Sequence, residues 1–199
     1  MTTKLGSTGP DVSRFGLGCM GMSGIYGPAD ERESIATIHG ALDAGINLID
    51  TGDFYGMGHN ELLIGRALRD RDRHRDQALL SVKFGAQRGP DGSWLGYDAR
   101  PAAVKTALAY SLQRLGTDHV DIYRPARLDA QVPIEETIGA IAELVQAGYV
   151  RGIGLSEDRV LAALPGYRAR DPAGVSRAGH RGHGLRRALP RVAERALVA

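Results

Sequence analysis

Cysteine is nearly absent from this chain: one residue in 199, Cys19, cannot close an internal disulfide. That excludes a cross-linked scaffold and suits a reducing compartment, with packing as the expected role of Cys19. No apolar run approaches the roughly 20 residues that span a bilayer. The opening Met1-Thr2-Thr3-Lys4-Leu5-Gly6 has no long apolar stretch of a secretory leader. Together these absences predict a cytoplasmic protein without a membrane partner. Net charge is also small, +2, and with 43% hydrophobic residues the chain can bury a real core, which excludes a disordered polymer.

The small net charge conceals an asymmetry. Up to about Asp158 acids and bases are interspersed, whereas beyond it arginine dominates. In the first segment, four stretches carry apolar residues at helical spacing. One runs from about Asp30 to Ala44 with Ile35, Ile38 and Leu42 on a face, and Gly45 waits where a left-handed terminal residue is wanted. The second runs from Asn60 to about Asp70 with Leu63, Ile64 and Leu68. A third starts near Pro101, shows Val104, Leu108, Leu112 and Leu115, and stops at Gly116. The fourth starts at Pro133, whose fixed φ suits a first turn, shows Ile134, Ile138, Ile141 and Val145, and stops at Gly148.

Short apolar runs with strand character lie between them: Phe15 to Gly18, Ile46 to Asp50, Leu79 to Lys83, Val120 to Tyr123 and Val150 to Leu155. Five alternations of strand and helix argue for parallel strands joined by helical crossovers. Ahead of them, Lys4 to Arg14 reads as a short hairpin with a glycine turn, suited to closing the bottom of a barrel. Two architectures fit, a doubly wound sheet and a (β/α)8 barrel. Gly16-Leu17-Gly18-Cys19-Met20-Gly21 matches the dinucleotide string G-x-G-x-x-G, which works only when its third glycine opens a helix. Here Met22 to Pro28 shows no helical character, so a glycine-rich loop is the expected reading.

A second set of residues discriminates better. Asp50 ends the second strand, Tyr55 lies in the loop after it, Lys83 ends the third strand and Ser156 follows the fifth. In a parallel barrel all strand C-termini face one side, so these groups converge. Reducing a carbonyl by hydride transfer leaves an oxygen that must gain a proton, and a phenol can supply it when a nearby cation favours the phenolate. Tyr55 is then the candidate proton donor, Lys83 the cation and Asp50 the carboxylate that orients Lys83, although each alone also fits a packed ring, an ion pair or a turn residue.

At this point the sequence resembles a known family. Leu48-Ile49-Asp50-Thr51-Gly52-Asp53-Phe54-Tyr55-Gly56 is similar to the Asp-Thr-x-x-x-Tyr-Gly motif of aldo-keto reductases, and Val82-Lys83-Phe84 to their lysine strand. Pro133 to Thr137 and Gly148 to Ser156 resemble their fourth helix and fifth strand, so the likeness covers residues 4 to about 157. The resemblance implies a (β/α)8 TIM-type barrel, here about five βα units behind an N-terminal hairpin, and reduction of an aldehyde or ketone. It implies Asp50, Tyr55 and Lys83 as catalytic, NADP(H) as cofactor, and Gly21, Met22, Asp50 and Ser156 as cofactor-binding, with Ser156 on the nicotinamide amide. Two departures stand out. Ala126, within Tyr123-Arg124-Pro125-Ala126-Arg127-Leu128-Asp129, occupies the place of the family's usual histidine, a role that Arg124 or Arg127 replaces only in part. Glu157 stands where asparagine is usual.

Residues 1–158 thus read as a partial reductase barrel, and 159–199 as an unrelated arginine-rich tail. Apart from a short helix from Arg159 to Leu164, nothing in the tail reads as a strand. It cannot supply the three further βα units, each about 30 residues, that would close a barrel. Arg168, Arg170, Arg177, Arg181, Arg186, Arg187, Arg191 and Arg195, interleaved with Ala, Gly and Pro, are types with G- and C-rich codons. That composition predicts a frameshift near codon 158, tested by reading the alternative frames of the coding DNA for strand-helix repeats. The tail lacks lysine and interleaved aromatics, which argues against a nucleic-acid arm, and no acid or cysteine joins His180 and His183 in a metal set. The competing expectation is a non-catalytic remnant or a channel-type subunit. A half barrel would also expose strand edges, predicting self-association.

Overall fold

The chain opens as a hairpin. In the computed structural model, which describes residues 2–5, 9–69, 74–156 and 196–198, β1 (Thr2–Lys4) pairs antiparallel with β2 (Asp11–Ser13). Asn47 fastens this hairpin: its side chain accepts from the Ser13 amide at 2.8 Å and donates to the Asp11 carbonyl at 3.0 Å. Because Asn47 directly precedes a strand of the main sheet, the hairpin sits at the N-terminal end of the strands, as its sequence suggested.

Strand and helix then alternate. In order come β3 (Gly16–Gly18), α1 (Glu31–Asp43), β4 (Leu48–Gly52), α2 (His59–Arg69), α3 (His74–Gln77), β5 (Leu79–Phe84), β6 (Ala86–Arg88) and β7 (Trp94–Tyr97). They are followed by α4 (Pro101–Leu115), β8 (Val120–Pro125), α5 (Ile134–Gln146), β9 (Val150–Leu155) and β10 (Ala196–Val198). One sheet runs β3-β4-β5-β8-β9-β10, with every neighbouring pair parallel. Its order never reverses, whereas a doubly wound sheet must reverse at a switch point. Of the two architectures that fit the sequence, this is the barrel type.

Local chemistry sets the helix ends. The Asp30 carboxylate accepts from the Glu33 amide at 2.9 Å, and Glu31 and Glu33 sit at the positive end of α1. α4 begins on Pro101 and ends at Gly116, whose φ of 68° returns its amide to the Leu112 carbonyl. Pro133 is the cap before α5, with extended ψ of 130°, rather than part of its first turn. Strand residues alternate. Ile49, Leu80, Val82, Tyr123 and Ile153 meet Ile38, Leu63, Ile64, Val104, Leu108, Ile138 and Ile141 of the helices in one buried core. The intervening residues Asp50, Lys83 and Arg124 face the other way.

The structure departs from the sequence reading in several further places. β4 continues two residues past Asp50, to Gly52. A 3-10 turn, Met20–Ser23, forms directly after β3, where no helical character was expected. The antiparallel pair β6 and β7, following β5, and the short α3 were not anticipated. Beyond 158, where no strand was expected, Ala196–Val198 adds a parallel strand beside β9, with Ala196 opposite Ile153; a run of three apolar residues is too short to show a period. The tail helix expected over 159–164, Glu157, His180 and His183 lie outside the described residues.

Candidate active site

Three neighbouring parallel strands deliver the polar cluster. Register sets Lys83 of β5 opposite Gly52 of β4 on one side and opposite Arg124 of β8 on the other. Side chains of paired residues share a face, so two cations stand side by side over the strand ends. The Asp50 carboxylate lies between them: Lys83 Nζ donates to Asp50 Oδ1, and Arg124 Nη2 donates to Asp50 Oδ2. Lys83 Nζ also lies 3.0 Å from the Tyr55 hydroxyl and 5.2 Å from the centre of its ring. Tyr55 is buried, with the Phe54 ring edge-on to its own at 4.8 Å.

Local backbone places Tyr55. After β4 the chain makes a 3-10 turn, Tyr55–Gly58, whose Gly56 has a φ of 56°. A Cβ at Gly56 would lie 2.9 Å from the Ser23 Cβ, so a larger residue is excluded on both counts. The turn is pinned from behind. Asn60, fully buried, accepts from Thr51 Oγ1 at 2.7 Å and donates to the Cys19 carbonyl at 2.8 Å and to Ser23 Oγ at 2.7 Å. This amide therefore ties β4, the Met20–Ser23 turn and the start of α2 together.

A buried charge cluster lies beneath. Glu61 of α2, with no solvent exposure, forms an ion pair with Arg114 of α4. Burial raises the Glu61 carboxyl above its ordinary range. Burial and the neighbouring Glu61 charge push Asp53 up to about 7. One oxygen each of Asp53 and Glu61 has no hydrogen-bond partner among the described residues. The Asp53 amide donates to the Lys83 carbonyl at 2.9 Å, which links this cluster to the Lys83 strand. Cys19 is sealed in the core as expected, its thiol pushed up to about 12 by burial.

Of the residues singled out in the sequence, Asp50, Tyr55 and Lys83 are joined by hydrogen bonds. Gly21 and Met22 lie on the 3-10 turn after β3, whose Cys19 amide donates to the Asp50 carbonyl at 2.9 Å, so they flank the same strand end. Ser156 follows β9 on the same rim and makes none of the bonds that join the other three. Ala126 follows β8, buried, and its methyl offers no hydrogen bond; Arg127 donates to the Ala126 carbonyl at 2.8 Å. Sequence reasoning missed Asn60, Asp53, Glu61 and Arg114. Two consecutive polar residues, Asn60 and Glu61, opening a helix that continues with Leu62, Leu63 and Ile64 were the available signal. Among the described residues no group of His, Cys, Asp and Glu could hold a metal, and no helix is long and apolar enough to cross a membrane.

Fold and site together define a barrel-type α/β chain with a phenol, an ammonium and a carboxylate at its strand ends. The aldo/keto reductase family model matches residues 14–163, and the chain belongs to that family. A probable aldo-keto reductase 1 of Glycine max is 43% identical over 157 residues, covering 77% of this chain and 44% of that protein. The aldo-keto reductase yakc [NADP(+)] of Schizosaccharomyces pombe is 39% identical, covering 78% of this chain and 45% of its own length. Among solved structures, the aldo-keto reductase AKR11C1 from Bacillus halodurans (holo form) superposes with a TM-score of 0.68 at 36% identity, covering 77% of this chain and 49% of that one. The glycerol dehydrogenase AKR11B4 from Gluconobacter oxydans gives 0.70 at 29% identity, covering 82% and 52%. The chain spans about half the length of these relatives.

Proposed function

We propose that this chain carries the proton-donating half of an NADP(H)-dependent reductase that converts an aldehyde or ketone into an alcohol. The observation that carries this reading is the Lys83 ammonium 3.0 Å from the Tyr55 hydroxyl, with Asp50 bonded to the same ammonium. In this reading Tyr55 donates its proton to the carbonyl oxygen as the hydride reaches the carbonyl carbon. Lys83 stabilises the negative charge left on the phenol oxygen, and Asp50 holds Lys83 in place. Proton donor and reduced carbon balance as one hydride plus one proton for each alcohol formed.

The donor set fits a nicotinamide cofactor because it holds an acid but no two-electron reductant, the lone thiol being sealed in the core. A reduced nicotinamide supplies the hydride when bound. Gly21, Met22, Asp50 and Ser156, on the rim that carries Tyr55, are the residues that would hold it. The NADP(+) in the name of the fission-yeast relative supports the phosphorylated form.

Fluorescence titration with NADPH, followed by turnover of a generic aldehyde, tests the proposal. Saturable binding and turnover are expected, with Tyr55→Phe lowering kcat by about 100-fold or more while binding persists. Absence of both binding and turnover overturns it, and binding without turnover returns the chain to the class of non-catalytic subunits.

A further inference from the structure

Arg124 is a buried charge to which the family resemblance gives no more than part of the missing histidine's role. Its side chain is 9% exposed, Nη2 donates to Asp50, and Nε has no partner among the described residues. Such a charge costs several kcal/mol to bury unless it is paired. Register sets it directly opposite Lys83, and like charges facing one another across paired strands are unfavourable. Among the described residues the Asp50 carboxylate bonds to both cations and offsets that repulsion. Three charges then sum to one net positive beside the Tyr55 hydroxyl.

Neighbouring strands are shaped for this side chain. On β9, Gly154 lies against Arg124: a Cβ there would stand 3.2 Å from Arg124 Cβ, 3.3 Å from its Cδ and 2.8 Å from Ile122 Cγ2. The glycine leaves the strip of space along which the arginine stem runs. Two residues on, Ala126 supplies no group that could hydrogen-bond a carbonyl oxygen, so the cationic character of this edge of the site comes from Arg124.

We propose that Arg124 is a positioning residue of the reduction site. Its guanidinium fixes the second oxygen of Asp50, so that the first oxygen faces Lys83 and a net positive charge remains where negative charge develops in reduction. This inference rests on the reductase reading above. It requires Arg124 to act through Asp50, not by touching substrate.

The test compares the full-length chain with Arg124→Met, Arg124→Gly, Asp50→Asn and the Asp50→Asn/Arg124→Met double variant. Arg124→Met keeps the bulk and should lower kcat by about 100-fold, the scale of a misplaced reacting group, with KM for NADPH and aldehyde nearly unchanged. Free guanidinium ion should restore part of the kcat of Arg124→Gly and none of that of Asp50→Asn. Melting temperature gives a readout independent of turnover. Asp50→Asn leaves two facing cations with no shared anion, so adding Arg124→Met should raise the melting temperature of that variant, although it removes a buried contact. A kcat of Arg124→Met within twofold of the parent, or a further fall in melting temperature on adding Arg124→Met to Asp50→Asn, overturns the proposal. If the unmodified chain turns over nothing, the reductase reading falls, and the melting comparison alone decides whether Arg124 sets the charge of the cluster.

Discussion

Gly65 of α2 and Leu115 of α4 meet backbone to backbone: a Cβ on Gly65 would lie 2.7 Å from the Leu115 carbonyl oxygen and 2.7 Å from that of Arg114. Main chain cannot yield as a flexible side chain can. This close approach fixes the height of α2, whose first turn follows Tyr55 and carries the Glu61 partner of Arg114. Gly65→Ala is therefore expected to destabilise the fold by about 2 kcal/mol, the range of an overpacked core. A lower urea midpoint with an unchanged slope checks it; an unchanged midpoint would show that the two helices separate at little cost.

Stability should fall with rising pH through the weakly acidic range. Burial, with the Glu61 charge second, raises Asp53 from 3.8 to about 7, so the folded chain holds this proton more tightly than the unfolded chain does. The favourable contribution is complete below the ordinary carboxylate range, declines between about 4 and 7, and levels off above. The raised Glu61 carboxyl acts with the same sign. Urea unfolding at intervals across that window should show the decline in the parent chain and a flatter profile in Asp53→Asn. A midpoint that rises with pH across the same window contradicts the assignment.

Lys83→Met separates chemistry from folding. The Asp50 carboxylate keeps its bond to Arg124 when the ammonium is removed, so no unpaired charge is left behind. The Tyr55 hydroxyl, in contrast, loses the cation at 3.0 Å. Expected outcomes are a melting temperature within a few degrees of the parent and a kcat about 100-fold lower or more, in the range of lost acid catalysis. Measuring both on one preparation checks the pair, and a large drop in melting temperature with kcat preserved would reverse the assignment.

Much of this architecture was legible in the linear chain because helices and strands write their periods into it. Ile38 and Leu42, Ile64 and Leu68, and Val104 and Leu108 fall at helical spacing and are buried together. Asp50 and Lys83 interrupt apolar strands, and an interruption at that place directs attention to the rim. The Asp50, Tyr55 and Lys83 set was therefore visible. Its coupling to Arg124 was not, since register between β5 and β8 depends on how two strands slide past each other, and nothing local records that. The β6 and β7 pair escaped because strands of three and four residues around a turn show no sustained alternation. Asn60 escaped because its three partners come from β4 and the turn after β3.

The β6 and β7 hairpin hangs from the C-terminal end of β5, one residue past the strand that holds Lys83. Trp94 and Leu95 on it stand open to solvent, and Arg88 stacks over the Trp94 ring at 5.2 Å. None of its side chains bonds to Asp50, Tyr55 or Lys83 among the described residues. The hairpin and the residues proposed to move the proton thus belong to separate stretches of backbone, so evolution or an engineer can rewrite the one while the bonds among Asp50, Tyr55 and Lys83 stay as they are.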